Sequence, residues 1–280
     1  LAKAVLNDHF IIEDKKIYLK STYHMEENIA KNITRICLAA KKIDGLDIKL
    51  IEKIEKDNHI SLSKSQIEAF KAVETEGVKL ITGGPGTGKT TLINSLIKYL
   101  EYKHPDIQIT LCAPTGRAAQ NLAGKTFHVA ETVHKTLGLR PYSEKKMRVT
   151  KKMTDYVYII DETSMLDLEL ADILLHALPT HAIVIFVGDK DQLPSVGVGN
   201  VFNDLLDSGI EKYVLNEIHR QNSDSSIVSN ATKINKGETA LDFSKSDFDV
   251  LYVDSEKTAV DFCLMYTEKE DSQILTPMNK

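Results

Sequence analysis

The chain of 280 residues lacks the features that mark several large classes of protein. Its three cysteines, Cys37, Cys112 and Cys263, do not have the spacing of a metal site, and we expect reduced thiols in a cytoplasmic protein. The sequence shows no apolar run long enough to span a bilayer, no signal peptide and no internal repeat. The formal net charge of −5 argues against a generally basic coat for nucleic acid, so any such contact must be local. These absences exclude a membrane-spanning protein, a repeat array and a cysteine metal site.

The first 60 residues predict a small unit of their own. Residues 10–12 and 17–19 read as a hairpin, and Ser21 is expected to cap a helix that is followed by a break at Gly45 and a second helix near residues 48–56. A helical brace and a winged-helix-like accessory domain are both open interpretations. The beginning at Leu1 indicates that a natural start is missing. The apolar face of the first helix is expected to hold Met25, Ile29, Ile33, Ile36, Cys37 and Ala40.

A glycine-rich loop connects a predicted strand to a predicted helix. Residues 78–82 are apolar and partly β-branched, and residues 91–100 place their apolar side chains on one helical face. The loop between them matches G-x-x-x-x-G-K-[ST], whose backbone amides converge on phosphate oxygens. Lys89 can reach the β- and γ-phosphates, and Thr90 can hold Mg²⁺. The predicted triphosphate site contains Gly83, Gly84, Pro85, Gly86, Thr87, Gly88, Lys89, Thr90 and Thr91.

An acidic pair follows the next apolar strand, predicted at residues 156–160. Asp161 at the strand tip suits a Mg²⁺ contact, and Glu162 beside it can polarise an attacking water, which a small-molecule kinase does not need. We therefore expect hydrolysis of the triphosphate, with a kinase as a remote alternative. Residues 161–164 can also open the next helix with acidic residues and hydroxyl caps, and the two interpretations are compatible.

A third apolar strand, predicted at residues 181–187, runs into a polar loop at residues 188–197. An uncharged amide at the tip of a strand beside the other two is suited to sensing a γ-phosphate. Gln192 is the candidate for this role.

Six segments occur in the order found in RecD-like superfamily 1 DNA helicases. Two departures from that family are His219, where an aromatic residue is more usual, and the absence of motifs V and VI from a sequence that ends at Lys280. Residues 273–278 are similar to the strand that opens the family's second motor half. The six segments are residues 83–91, 113–119, 132–134, 161–165, 188–197 and 219–221, which resemble motifs I, Ia, Ib, II, III and IV.

The resemblance implies further site residues. Arg220 stands where the family uses an arginine as a γ-phosphate finger, and an interdomain salt bridge is the alternative. Thr115, Thr132 and His134 stand where the family holds DNA phosphates, a task that suits hydroxyls and backbone amides. A helix cap at Thr115 and a core or surface position for His134 are the alternatives. The implied DNA-binding residues are Pro114, Thr115, Gly116, Arg117, Thr132 and His134.

Two local patterns allow different interpretations. Ser63 and Gln66 have the spacing of a capping box, whereas the family places a glutamine at this point on the adenine edge of ATP. The basic residues within 140–152 are interpreted as a solvated loop that aids DNA binding weakly.

The sequence as a whole predicts an α/β P-loop NTPase, a RecA-like parallel sheet with helices on both faces that is preceded by a small helical domain. The expected domains are residues 1–60, a RecA-like motor domain at 61–222, and the truncated beginning of a second one at 223–280. The catalytic residues are expected to be Lys89, Glu162, Gln192 and Arg220, with Thr90 and Asp161 on the metal.

The resemblance implies ATP and Mg²⁺ as cofactors and hydrolysis coupled to 5′–3′ translocation on single-stranded DNA, in DNA repair and recombination. The implied partners are single-stranded DNA and exodeoxyribonuclease V-type subunits, with no membrane. Unwinding by this piece alone is not expected, and the sequence shows no nuclease cluster of its own. The alternative is an ATP-dependent DNA-binding or assembly subunit without unwinding activity.

Overall fold

The computed structural model describes residues 9–143, 146–217, 225–267 and 273–275. The chain divides into two compact units, residues 1–220 and residues 221–280.

A six-stranded sheet in which every pairing is parallel forms the centre of the first unit. The strands are β3 (Gly77–Gly83), β4 (Ile109–Ala113), β5 (Ala130–Thr132), β8 (Val157–Ile160), β9 (Ile183–Gly188) and β10 (Lys212–Leu215). Their order across the sheet is β10-β3-β9-β8-β4-β5, so strands distant in sequence are neighbours. Parallel strands need crossover connections, which here are mostly helices packed on the two faces.

Each face of the sheet is covered by its own set of helices. Along β9, Val184 and Phe186 belong to one core while Ile183, Ile185 and Val187 belong to the other, as the two-residue period of a strand requires. The first core is shared with α1 (Lys20–Leu38), α7 (Leu168–Ala177) and α8 (Val201–Asp207). The second is shared with α2 (Ile48–Asn58), α3 (Lys64–Ala69), α4 (Lys89–Lys103) and α5 (Gly116–Thr126). The predicted α/β class with helices on both faces is confirmed.

The amino-terminal segment contains the predicted hairpin and both predicted helices. Strands β1 (Phe10–Glu13) and β2 (Lys16–Leu19) pair antiparallel, and α1 buries Ile29, Ile33 and Ile36 in the first core. The prediction that Ser21 caps α1 is wrong, because the helix begins at Lys20 directly after β2 and no side chain caps it. Ala40 lies beyond the helix end. Because α1 packs on the central sheet, it covers one face of the nucleotide-binding fold.

A second hairpin was not expected. Residues 140–152 were interpreted as a solvated loop, but β6 (Arg140–Ser143) and β7 (Lys146–Arg148) pair antiparallel after the short helix α6 (Val133–Thr136). The two strands are short and mostly polar, so their sequence has no apolar alternation that could reveal them.

Glu76 joins several segments at the amino-terminal edge of the sheet. Its carboxylate accepts hydrogen bonds from the backbone N–H of Lys41 (3.1 Å) and from the hydroxyl of Tyr156 (2.9 Å), and it lies 3.0 Å from His181 Nδ1. The side chain is buried, and although burial alone would raise the pKa of Glu76, the hydrogen bonds from His181, Tyr156 and Lys41 hold that pKa below its usual value. These bonds connect the entries of β3, β8 and β9 to the segment that follows α1.

The second unit contains two described helices, α9 (Ser226–Asn235) and α10 (Glu256–Thr267). The side chain of Asn230 bonds the backbone of Asp242 through both amide atoms, each at 2.6 Å. The strand expected at residues 273–278 is not seen at residues 273–275, and the rest of it lies outside the described residues.

Across the described part of the chain, no helix has the length and apolar character needed to cross a membrane.

Candidate functional site

Three polar loops leave the sheet at one edge. Strands β3 and β9 pair with Thr82 opposite Gly188, and β8 and β9 pair with Ile160 opposite Phe186. The carboxyl ends of all three strands therefore lie side by side. In open α/β sheets, ligands bind beyond this edge. The glycine-rich loop, the acidic pair and the loop of Gln192 all begin there.

The glycine-rich loop has a backbone that other residues would not adopt easily. Gly86 and Gly88 have φ values of 80° and 79°, in the left-handed region. A Cβ added to Gly83 would lie 2.6 Å from Thr87 Oγ1 and 2.9 Å from Leu215 Cβ. Helix α4 starts directly after Gly88 and has no side-chain cap, so the amides of its first turn are available to an anion.

Lys89 and Thr87 bond the loop to itself. The Lys89 Nζ donates to the carbonyl oxygens of Gly83 (2.5 Å) and Gly84 (3.1 Å), and the Thr87 hydroxyl donates to Gly84 O (2.9 Å). The ammonium group of Lys89 therefore lies within the loop whose amides would bind phosphates.

The carboxylate of Asp161 is almost completely buried, with 9% of the residue exposed. The pKa of Asp161 is raised to about 6, chiefly by burial and also by the charge of Glu162, against the opposing effects of the Glu162 N–H, Lys89 and Lys125. The effect of Lys89 shows that the glycine-rich loop and the acidic pair lie close enough for their charges to interact. Asp161 Oδ1 accepts the Glu162 N–H at 2.9 Å.

Glu162 has a φ of 52°, in the left-handed region, which costs about 1 kcal/mol or more for a residue with a side chain. Strain of this kind is concentrated at functional sites. The following turn is held by Thr163, a buried residue whose hydroxyl donates to Ile160 O at 2.9 Å. The acidic pair does not begin a long helix, since residues Thr163–Met165 form one 3₁₀ turn and Asp167 caps the next helix.

Oxygen ligands for a divalent cation are present at this edge. Carboxylate and hydroxyl oxygens are the groups that Mg²⁺ prefers, and Mg²⁺ in nucleotide sites takes few protein ligands because phosphate and water supply the others. Thr90 and Asp161 fit that requirement. In the parts of the chain that the structure describes, no group of three or more His, Cys, Asp or Glu side chains could hold a metal by itself.

Gln192 is connected to the loop of the acidic pair. The Ser164 hydroxyl donates to Gln192 Oε1 at 3.2 Å, and the Gln192 N–H donates to Asp189 O at 3.2 Å. Asp189 is buried and accepts the Asp191 N–H at 3.0 Å. The loops after β8 and β9 are thus linked through the residue expected to sense the γ-phosphate.

The capping box at Ser63 and Gln66 is confirmed. Ser63 N–H donates to Gln66 Oε1 (2.8 Å), and Gln66 N–H donates to Ser63 Oγ (3.2 Å). The same Gln66 side chain donates through Nε2 to Thr87 O at 3.1 Å. Gln66 therefore supports the glycine-rich loop, and its contact with adenine stays a prediction.

The residues expected to bind DNA lie beside this site. Strands β4 and β5 pair with Ala113 opposite Thr132, so the turns at Thr115 and Thr132 leave the same edge of the sheet. Both hydroxyls cap helices, Thr115 by accepting the Ala118 N–H (3.3 Å) and Thr132 by accepting the Lys135 N–H (3.2 Å). Gly116, Arg117 and His134 are exposed, and Pro114 is half-buried. Their role in DNA binding stays a prediction.

Arg220, with His219 and Gln221, lies outside the described residues, so its role as a γ-phosphate finger also stays a prediction.

One residue that the sequence did not reveal is Lys125, in the last turn of α5, whose charge acts on Asp161. Lys125 belongs to no motif, and only the packing of α5 beside α4 brings it near the acidic pair.

A family model and several known proteins are similar to this chain. The family model described as AAA domain matches residues 61–251. The ATP-dependent RecD2 DNA helicase of Deinococcus radiodurans is 31% identical over 271 residues, which are 95% of this chain and 36% of that protein. The RecBCD enzyme subunit RecD of Mycobacterium tuberculosis is 30% identical over 219 residues, 70% of this chain and 37% of that protein. The chain thus spans little more than a third of the length of these relatives. A crystal structure of Bacteroides Pif1 bound to ssDNA has a TM-score of 0.49 at 20% identity, covering 76% of this chain and 57% of that one.

Proposed function

The chain belongs to the AAA domain family, among the RecD-like superfamily 1B helicases, and on that premise we propose that it hydrolyses MgATP to drive movement along single-stranded DNA. The observation that carries the proposal is the convergence of the glycine-rich loop, the acidic pair and Gln192 at one edge of one sheet. Ligand binding at this edge is general to parallel sheets, and the residues that meet here are those that phosphate chemistry needs.

Each residue has a distinct task in this proposal. The amides of residues 84–89 bind the phosphates, and the Lys89 ammonium moves from the loop carbonyls to the β- and γ-phosphates. Thr90 and Asp161 would hold Mg²⁺, which would supply positive charge to stabilise the phosphates during hydrolysis. Glu162 orients and polarises the attacking water. Gln192 responds to the γ-phosphate and transmits its presence to Ser164. Arg220 supplies a further positive charge in the transition state.

DNA binding is proposed at the adjoining loops after β4 and β5. These loops carry Thr115 and Thr132 at the same edge of the sheet as the proposed ATP site. Hydrolysis of ATP would therefore take place close to the bound DNA backbone. Hydroxyls and exposed backbone suit a protein that must hold any sequence. Pro114, Gly116, Arg117 and His134 are the remaining proposed contacts.

The relatives extend the proposal to the protein's context. Because they include a DNA helicase and a RecBCD subunit, we propose a role in DNA repair and recombination in the cytoplasm and partners of the exodeoxyribonuclease V type. We also propose 5′–3′ translocation, the direction that the RecD-like resemblance implies. The proposed domains are residues 1–60, 61–222 and 223–280, the first being an accessory whose α1 packs on the sheet of the second.

The test is ATP turnover by the full-length protein with and without single-stranded DNA, followed by unwinding of duplexes that carry a 5′ or a 3′ tail. We expect DNA to stimulate turnover at least about tenfold, a change of about 1.4 kcal/mol in the barrier, and only the 5′-tailed duplex to be unwound. Stimulated turnover without unwinding of either duplex would favour the alternative, an ATP-dependent DNA-binding or assembly subunit. ATP turnover at the same rate with and without DNA would contradict both the proposed function and this alternative.

A further inference from the structure

A cavity of about 380 Å³ runs along the outer side of α4, between the end of α2 and the end of α5. It begins at Thr90 and Thr91, directly after the glycine-rich loop, and reaches Lys98 two turns further along the helix. Two lysines, Lys98 and Lys125, line it, and none of the described residues that line it is acidic. The cavity therefore has the charge of an anion site.

Both lysines have ammonium N–H groups that could donate hydrogen bonds to an anion in the cavity. Lys98 Nζ donates to Asn58 Oδ1, which uses one of its three N–H groups. Lys125 is exposed at the end of α5. The nearest acid on α4, Glu101, lies outside the cavity lining and pairs with His128 at 2.9 Å. Asp161, on whose pKa Lys125 acts, also lies outside the lining, so no described residue of the lining itself cancels the positive charge of the cavity.

Neutral polar side chains complete the lining. Thr90, Thr91, Asn94 and Ser95 lie along it together with the two lysines. Hydroxyl and amide N–H groups can donate hydrogen bonds to the oxygens of an anion. The lining therefore combines positive charge with neutral donors, which is what a phosphate ion requires.

We propose that this cavity is a second phosphate site, separate from the glycine-rich loop, which takes the inorganic phosphate that hydrolysis releases. The role as a product site rests on the proposed function, whereas the binding of phosphate does not. In hydrolysis the water oxygen bonds to the γ-phosphorus while the bond to the bridging oxygen breaks, which gives ADP³⁻, HPO₄²⁻ and one proton. Thr90 is both a proposed Mg²⁺ ligand and a lining residue of the cavity, so the released ion would have a short path into the cavity.

Equilibrium dialysis with radiolabelled inorganic phosphate tests the site without ATP. The chain with Lys89→Ala, which removes the principal cation of the glycine-rich loop, is compared with the same chain carrying Lys98→Gln and Lys125→Gln in addition. We expect the Lys89→Ala chain to bind phosphate and the added changes to weaken binding about tenfold. Lys125→Gln alone, at an exposed position, should weaken it severalfold without unfolding the chain.

A matched control makes the dialysis decisive. Lys71→Gln, in an exposed ion pair with Glu68, should leave phosphate binding unchanged. The second site would be excluded if Lys89→Ala abolished phosphate binding. It would also be excluded if the added changes at Lys98 and Lys125 left the affinity for phosphate unchanged.

Inhibition of ATP turnover by added phosphate tests the product role. With Lys89 intact, the Lys98→Gln protein should need severalfold more phosphate for half-inhibition, with an unchanged KM for ATP. Equal inhibition of the variant and the native protein would remove the product role, even where dialysis finds the site. Absence of ATP turnover in the native protein would contradict the proposed function and leave the dialysis result standing.

Discussion

At the scale of single residues, Asp161 carries a charge that folding disfavours and that a metal ion needs. Burial raises its pKa from 3.8 to about 6, so the folded chain holds the proton more tightly than the unfolded chain does. Stability therefore falls as the pH rises between these two values, and above them the buried carboxylate remains destabilising. A bound cation would reverse this effect because it stabilises the ionised form.

Replacing Asp161 by Asn separates stability from function. We expect Asp161→Asn to raise the free energy of unfolding of the metal-free chain at pH 8 by about 1–2 kcal/mol, because a neutral amide is less costly to bury than a carboxylate. Urea unfolding measures this change, with the exposed Asp106→Asn as the matched control. The variant should also lose the strengthening of ATP binding by Mg²⁺. A variant that is less stable, yet binds MgATP as the native chain does, would contradict this assignment.

Gln66 offers a second test at the same scale. Its amide oxygen accepts a hydrogen bond at the start of α3, and its amide nitrogen donates one to Thr87 O. Gln66→Ala should therefore weaken the binding of ATP and of GTP by the same factor, less than about tenfold. Titration of the chain with each nucleotide measures the two losses. A loss confined to ATP would show instead that the amide turns to read adenine, the role that the family resemblance implies.

At the scale of elements, the junction of β3 with its loop has little room for side chains. A methyl group on Gly83 would meet both Thr87 and Leu215, whereas one on Gly84 would have nothing within 4 Å. The two adjacent glycines therefore form a matched pair. Overpacking typically costs about 1–3 kcal/mol in a well-packed region.

We expect Gly83→Ala to lower the free energy of unfolding by about 1–3 kcal/mol and Gly84→Ala to change it by less than about 0.5 kcal/mol. Chemical denaturation without nucleotide isolates this effect from any contact with phosphate. Equal losses from the two changes would mean that the loop adjusts to the added methyl group.

Glu76 is the corresponding connection at the opposite edge of the sheet. Because its pKa is lowered by its hydrogen bonds, its contribution to stability is present above the ordinary value of 4.5 and disappears as the pH falls through the lower folded value. Glu76→Gln should reduce the free energy of unfolding at pH 7 by about 1–2 kcal/mol. The difference from the native chain should shrink as the pH falls below 4.5. Denaturation at several pH values measures this, with the exposed Glu52→Gln as control, and a constant difference at every pH would exclude an ionic role.

At the scale of the whole molecule, the sequence predicted the parts of the fold that depend on local pattern. Apolar strands followed by polar tips at Gly83, Asp161 and Gly188 indicated a parallel sheet with a site at its carboxyl edge. The order of the strands, with β9 between β3 and β8, depends on packing between distant segments and has no local signal.

Other features could not be predicted for identifiable reasons. The hairpin of β6 and β7 is short and polar, and the start of α1 is set by β2 rather than by a capping side chain. The link from Ser164 to Gln192 and the approach of Lys125 to Asp161 exist only because separate loops meet at one edge. Motif spacing identifies such residues singly, and the fold determines which of them act together.

Exchange of one atom in Glu162 tests the central claim most directly, since Glu162→Gln keeps the size of the side chain and removes its ability to polarise water. ATP turnover and MgATP affinity are measured for this variant, for the native protein and for the exposed control Glu169→Gln. The account predicts that turnover falls at least about a hundredfold in Glu162→Gln while MgATP affinity stays within about twofold. Undiminished turnover in Glu162→Gln would show that this edge of the sheet does not carry out the hydrolysis.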